Sequence, residues 1–201
     1  MGDYTINLSF KKEQVADLNT QGFKLCFTSG VGSDDNFNVI AWSDTIAATV
    51  QITWKEQYQV AATKDTFSSG VKFHVSTSAQ DIKFQEVYTL PPDWTDGTIS
   101  QDPKLDDTSF KFVNETEKTA SAVIYKLIQG KPTPFYISQS PVFSKGNEVL
   151  TPKLKVALWF QKDVETGNMF SKNGTKLTAI DFTNQQTWDG HWDGQSFVVD
   201  P

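Results

Sequence analysis

The amino-acid sequence predicts an all-β fold, an antiparallel two-layer β-sandwich with one short N-terminal helix at about residues 11–21. Two observations support this prediction. Apolar and polar residues alternate in several segments, as they do in strands that have one buried and one solvated face. Residues that favour turns (Gly, Pro, Asn and Asp) interrupt the chain roughly every ten residues, a spacing typical of sandwiches and barrels.

The first elements along the chain are a strand and a helix. Alternating apolar residues at 4–10 predict the strand. In the helical segment that follows, Val15 and Leu18 lie three positions apart and would share one face. Ser9 is the expected N-cap, and Gly22 is the expected C-terminal stop.

The clearest strand pattern covers residues 46–54, where Ile, Ala, Val, Ile and Trp occupy every second position. Weaker alternation predicts further strands at 71–75, 82–84 and 154–160. Because Trp54 and Trp159 lie within two of these strands, we expect both rings in the core.

We expect one domain that covers residues 1–201, with an internal pseudo-two-fold duplication of residues 23–97 and 120–190. In this alignment Ile82 corresponds to Ile180, Trp54 to Trp159, and the Trp-Thr-Asp-Gly segment at 94–97 to Trp-Asp-Gly at 188–190. The alternative interpretation is coincidence, because strand patterns resemble one another at low identity.

The charge composition argues against nucleic acid as a partner. The chain has 18 basic residues, all of them lysine, against 24 Asp and Glu, which gives a net charge of -6. An acidic protein repels phosphate backbones. Without arginine it also lacks the planar fork that binds carboxylates and phosphates with two hydrogen bonds.

No motif in the sequence indicates catalysis, a cofactor or a metal. His74 and His191 are the only histidines and cannot supply a three-ligand zinc site by themselves, and the sequence has no C-x-x-C or H-E-x-x-H spacing that would recruit other ligands. Close carboxylates such as Asp106 and Asp107 are typical of turns. We therefore expect no enzymatic activity, no cofactor and no metal.

Tryptophans beside Asp-Gly pairs give the strongest indication of a site. Residues 187–194 contain Trp-Asp-Gly twice, and residues 94–97 contain a looser version. Asp-Gly favours turns, where a ring has few neighbours to cover it. A ring covers the apolar face of a sugar, and a carboxylate accepts protons from its hydroxyl groups. The predicted ligand-binding residues are Trp94, Asp96, Trp188, Asp189, Trp192 and Asp193.

Other interpretations of these tryptophans remain open. The rings could line a peptide groove, or they could plug the open end of the sandwich as ordinary core residues. As a function we expect a non-enzymatic carbohydrate-binding, lectin-like module. The alternative is a membrane-active β-sandwich, lipid-binding or similar to a pore-forming toxin, whose exposed rings enter the lipid interface. An enzyme that uses two carboxylates is a third class, without residues of its own.

The expected partners follow from these functions. They are a neutral ligand such as a glycan, a membrane surface, and a second copy of the chain paired through edge strands. The N-terminal residues lack the basic and apolar regions of a signal peptide, so we expect a cytoplasmic protein, with secretion by another route as the alternative.

Overall fold

The computed structural model describes residues 2–32, 36–173 and 175–201. Within these ranges the chain forms fifteen strands and the single helix α1 (Lys12–Thr20). The strands are β1 (Asp3–Ser9), β2 (Phe23–Val31), β3 (Trp42–Asp44), β4 (Thr49–Thr63), β5 (Gln80–Ile82), β6 (Glu86–Leu90), β7 (Thr98–Gln101), β8 (Phe110–Asn114), β9 (Ser121–Ile128), β10 (Lys131–Ile137), β11 (Asn147–Leu150), β12 (Pro152–Lys162), β13 (Thr178–Asp181), β14 (Thr187–Trp192) and β15 (Phe197–Val199). The predicted all-β sandwich with one N-terminal helix is confirmed.

The described strands form three sheets. The largest has the order β10-β9-β4-β1-β14-β15, with β5 also paired to β4. The second has the order β13-β12-β2-β3, and the third β11-β8-β6-β7. Most neighbours are antiparallel, as predicted, but β1 pairs with β14 and β6 pairs with β8 in parallel. Both parallel pairs join strands that are distant in sequence, so alternation within each strand gives no sign of them.

The main hydrophobic core draws on all three sheets, for example on Ile52 of β4, Leu158 of β12 and Phe112 of β8. A second cluster covers the other face of β2 and β12 and includes Trp159. The expected core positions of Trp54 and Trp159 are confirmed, since their exposed fractions are 2% and 1%.

The helix ends as predicted but begins differently. Its N-cap is Lys11, whose backbone amide donates to Oε1 of Gln14 at 2.9 Å. The expected cap, Ser9, is wrong because this residue remains in β1. The helix stops before Gly22, which has φ +79° and therefore favours glycine.

Three of the predicted strands differ from the structure. The strand predicted at 46–54 begins later, at Thr49 of β4. The segment 71–75 forms no strand apart from one isolated bridge between Lys72 and Asn168. Val71 and Val75 are exposed, and of the alternating apolar residues only Phe73 is partly buried. The predicted strand at 82–84 is wrong in its bounds, because β5 ends at Ile82.

The hydrogen-bonded registers of two sheets repeat with a constant offset. Tyr58 of β4 lies opposite Ile82 of β5, and Val156 of β12 lies opposite Ile180 of β13. The offset is 98 for both residues of the pair (58 to 156, 82 to 180). The predicted correspondence of Ile82 with Ile180 is therefore reproduced by the strand pairing.

The same repeat extends across the next strands. Opposite Tyr58 and Val156 lie Lys126 of β9 and Ser29 of β2, and in both sheets the register shifts just before this pair. Trp54 does not correspond to Trp159, however, because Trp54 lies opposite Ile128 of β9, whereas Trp159 lies opposite Cys26 of β2. The pairing pattern of these strands repeats, while a pseudo-two-fold duplication as its origin stays a prediction.

Candidate functional site

The six predicted site residues do not come together. Trp188 and Trp192 lie in β14, which is joined through β1 to the beginning of β4. Trp94 instead contacts Lys64, which directly follows the end of β4. β4 has 15 residues, and at about 3.3 Å per residue its two ends are roughly 45 Å apart.

Trp188 is a core residue. It lies in β14 rather than in a turn, opposite Ile6, and only 8% of it is exposed. Its ring lies over Gly190, where a Cβ atom would be 2.2 Å from the ring atom Cη2. A ring this deeply buried has no free face to offer a ligand, which favours the plug interpretation over the predicted role of Trp188 in ligand binding.

Trp192 and Asp193 also make contacts with neighbouring residues of the fold. The half-buried Trp192 ring meets Phe160 edge to face with 4.9 Å between centroids, and it lies 5.0 Å from Phe197. Asp193 accepts hydrogen bonds from the backbone amides of Ser196 and Gln195, and these bonds hold the pKa of its carboxyl below the usual value. Asp193 thus stabilises the turn between β14 and β15.

Asp189 lies at a shallow polar groove of about 450 Å³ on the outer face of the largest sheet. Its carboxylate accepts from Nδ2 of Asn7 at 2.7 Å, and Oδ1 of Asn7 accepts from Gln51 at 2.9 Å. Among the described residues that line this groove there is no aromatic ring. It therefore lacks the ring that the predicted sugar site requires.

Of the three predicted tryptophans, Trp94 is the one that lines a groove. It lies in the loop between β6 and β7 with φ +59°, a left-handed conformation that is rare for a bulky side chain. Its amide donates to the carbonyl of Pro91 at 3.1 Å. The hydroxyl and amide of Thr95 donate to Asp93, which lowers the pKa of that carboxyl.

The rest of the loop is fastened to neighbouring elements. The Asp96 carboxylate accepts from the amide of Ser78 at 2.7 Å, so it holds the loop and does not line the groove. Gly97 packs on Tyr88, where a Cβ atom would lie 2.2 Å from the ring. Burial raises the pKa of Tyr88, whose hydroxyl accepts from the Gly97 amide at 3.2 Å. These contacts fix the loop and with it the backbone of Trp94.

The Trp94 groove has a volume of about 480 Å³. It is lined by Lys64, Pro92, Trp94, Glu117, Lys118 and Thr119. Trp94 packs against the main core, and the Lys64 ammonium lies 4.9 Å from its ring centroid. The Glu117 side chain is 83% exposed. The volume falls within the range of small-molecule sites.

Sequence reasoning missed Glu117, Lys118 and Thr119. They reach Trp94 because β6 and β8 are parallel. The loops that follow these two strands therefore begin at the same end of the sheet. The amide of Glu115 donates to the carbonyl of Leu90 at 2.9 Å, which holds the two loops side by side. No motif in either loop signals this neighbourhood.

Other kinds of site have less support. In the described ranges no group of three or more His, Cys, Asp or Glu residues could hold a metal ion. Cys26 is buried, and burial raises its pKa to about 12, so the thiol stays protonated. Across the same part of the chain, every helix is too short or too polar to cross a membrane.

Comparison with known proteins adds no functional information. No protein-family model matches the chain, and neither the curated proteins nor the solved structures contain a significant match. The geometry of the Trp94 groove is therefore the basis on which a function can be argued.

Proposed function

We propose that the protein is a non-enzymatic, lectin-like module that binds a neutral carbohydrate in the Trp94 groove. The observation that carries this proposal is the position of Trp94, whose backbone adopts a left-handed conformation (φ +59°) at the wall of the groove. Such conformations cost about 1–3 kcal/mol and persist where the surrounding structure enforces them, often at binding sites. The bonds of Asp93 and Asp96 supply that enforcement.

The groups around the ring suit a sugar. The Trp94 ring offers an apolar face for a pyranose, while the exposed carboxylate of Glu117 accepts hydrogen bonds from hydroxyl groups. The hydroxyl of Thr119 can donate or accept, and Lys118 can donate. Each hydroxyl of a sugar can therefore find a partner of the right kind.

The charges around the groove favour a neutral ligand. Its lining includes two lysines and one glutamate, and Glu117 lies 3.4 Å from Lys145, so charges of opposite sign lie close together. The chain as a whole carries a net charge of -6 and no arginine, which disfavours phosphates and sulfates. We retain Trp94 as the central binding residue and add Glu117 and Thr119.

A glycan array tests this function. Neutral oligosaccharides should give specific signals with the wild-type protein, and each hit should change its tryptophan fluorescence in solution. Loss of the array signals on Trp94→Ala, with binding intact in Asp189→Ala, would support the Trp94 groove. If no glycan binds the folded wild-type protein, the proposal is wrong.

Two further expectations accompany this proposal. A cytoplasmic location is supported by the single, buried and unpaired cysteine, since a reducing compartment does not select for disulfides. Pairing of two copies would use strands at the ends of the sheets, such as β10, which has a described strand on one side only. Sedimentation of the purified protein at increasing concentration tests the second expectation.

A further inference from the structure

We propose that Phe143 anchors the protein to the interface of a zwitterionic lipid bilayer. Phe143 lies in the loop between β10 and β11 and is 77% exposed. In the part of the chain that the structure describes, it is the most exposed of the large hydrophobic side chains. An exposed phenylalanine is costly in water and gains free energy when its ring enters lipid.

Backbone hydrogen bonds fix the loop that carries the exposed Phe143 ring. Val142 and Ala120 exchange two backbone hydrogen bonds, of 2.7 and 3.0 Å. The carbonyl of Phe143 accepts from the Gly146 amide at 2.9 Å and from Nδ2 of the buried Asn114 at 3.1 Å. The backbone is thus held on both sides of the ring. Binding through a preorganised loop avoids the entropic cost of ordering it.

The charges next to Phe143 carry both signs. The Lys145 ammonium lies 3.6 Å from the Glu115 carboxylate and 3.4 Å from that of Glu117, and it donates to the Glu115 carbonyl at 2.6 Å. Zwitterionic headgroups also present both signs, so these groups can remain paired while the ring enters the acyl boundary. The net charge of -6 disfavours anionic lipid.

The same surroundings argue against a protein as the occupant. The centre of a protein interface is depleted of charged residues, and a stable interface buries about 1,200 Å² or more. A single ring bordered by Lys145 and Glu117 meets neither condition. A lipid surface has no minimum contact area, and a single ring gives weak, reversible binding to it.

The anchor and the Trp94 groove lie at the same end of the molecule. Glu117 lines the groove and also pairs with Lys145, two residues from Phe143. Tryptophan is itself enriched at lipid interfaces. Docking through Phe143 would therefore hold the groove close to the membrane surface, although the anchor does not depend on whether the groove binds a sugar.

Sedimentation with phosphatidylcholine vesicles that carry no sugar tests the proposal. We expect the wild-type protein to sediment with vesicles at millimolar lipid, and Phe143→Ala to lower the partition coefficient by about tenfold or more. Val199→Ala is the matched control, because Val199 is 64% exposed in β15, near the other end of β4. It should partition like the wild type, and Phe143→Trp should bind at least as well as the wild type. Melting curves establish that each variant is folded.

Several outcomes would overturn the anchor. The wild-type protein could remain in the supernatant with phosphatidylcholine, or Phe143→Ala and Val199→Ala could partition alike. A dimer that dissociates in Phe143→Ala, together with absent vesicle binding, would identify a contact between two copies instead. Because the vesicles are free of carbohydrate, failure here leaves the glycan array as a separate test of the Trp94 groove.

Discussion

The ammonium group of Lys64 lies 4.9 Å from the centroid of the Trp94 ring, which is the geometry of a cation–π contact. Lys64 directly follows β4 and Trp94 lies between β6 and β7, so this contact joins the largest sheet to the third sheet at the groove. Lys64 is exposed, and contacts of this kind contribute about 0.5–1 kcal/mol at exposed sites. Displacing the Lys64 ammonium from the ring therefore costs a bound sugar little of its binding free energy.

Removing this cation should uncover the ring without weakening the fold. For Lys64→Ala we expect the free energy of unfolding to change by no more than about 1 kcal/mol. We expect sugar affinity to stay equal or to rise, as measured by fluorescence titration. Lys104→Ala is the control, an exposed lysine in the loop before β8. If Lys64→Ala weakened binding tenfold while the control did not, Lys64 would be a donor to the ligand, contrary to this account.

Trp188 should matter for stability alone. Because its ring is buried, Trp188→Ala should lower the free energy of unfolding in urea by about 3–5 kcal/mol. Gly190→Ala should cost about 1–3 kcal/mol, since the new Cβ would meet the Trp188 ring and the carbonyl of Val198. Asp189→Ala, at an exposed neighbouring residue, is the control. It should change stability by about 0.5–1.5 kcal/mol, because it removes the hydrogen bond that Asp189 accepts from Asn7. An unchanged urea midpoint for Trp188→Ala would contradict the core assignment.

A buried ion pair lies between β2, β4 and β9. The Lys126 side chain has no exposed surface, and its ammonium donates to Glu56 at 2.9 Å and to Ser29 at 2.8 Å. Lys126→Ala leaves the Glu56 carboxylate with the donors Trp54 and Tyr58 but without its cation, and should cost about 3–5 kcal/mol in urea unfolding. The double variant Lys126→Met with Glu56→Gln should recover part of this loss, because neither residue is then charged.

The exposed pair of Lys55 with Asp3 is the control for that ion pair. Both side chains are largely in water, so Lys55→Ala should change stability by less than about 1 kcal/mol. Equal effects of Lys126→Ala and Lys55→Ala would contradict the claim that burial makes the Lys126 pair critical.

Glu148 should make stability depend on pH. Burial raises the pKa of this carboxyl, although the hydroxyls of Ser138 and Tyr136 donate to it and act in the opposite direction. The folded state thus holds its proton more tightly than the unfolded state, so ionisation of Glu148 destabilises the fold at neutral pH. This penalty disappears as the pH falls through the folded pKa towards the unfolded value of about 4.3.

Glu148→Gln tests this linkage, because it removes the charge: the amide oxygen accepts from one of the two hydroxyls, and the amide NH2 group donates to the oxygen of the other. The variant should melt at a higher temperature than the wild type at pH 7, and the difference should shrink as the pH approaches about 4.5. Carboxyls with lowered pKa, such as Asp102 and Asp181, act in the opposite direction but are common to both proteins and cancel in the difference. A difference that grows on acidification would contradict the assignment.

Fold class and helix position could be predicted because local patterns determine them. Period-two alternation located β1 and β12, and Gly22 marked the end of α1. The segment 71–75 has the same alternation but pairs with no strand along its length, so Val71 and Val75 stay exposed. Alternation indicates that a segment can form a strand, whereas a strand forms only where a partner is present.

The residues of the candidate site could be predicted only in part, because the parallel pairing of distant strands determines which residues meet there. Trp-Asp-Gly suggests a turn at 188–190, but pairing with β1 on one side and β15 on the other places this segment inside a sheet. Pairing of β6 with β8 brings Glu117 to Trp94 across more than 20 residues of sequence. Phe143 has no periodic neighbours, so no sequence pattern separates it from the fourteen other phenylalanines.

The central claim is that Trp94 forms the ligand site, and the most direct measurement is a titration of an array-selected neutral glycan against three proteins. These are the wild type, Trp94→Ala and Trp192→Phe, a variant at another of the three predicted tryptophans. We expect Trp94→Ala to weaken binding by about tenfold or more, because it removes the stacking surface, and Trp192→Phe to bind like the wild type. Unchanged affinity in folded Trp94→Ala, or loss of binding in Trp192→Phe, would contradict the account.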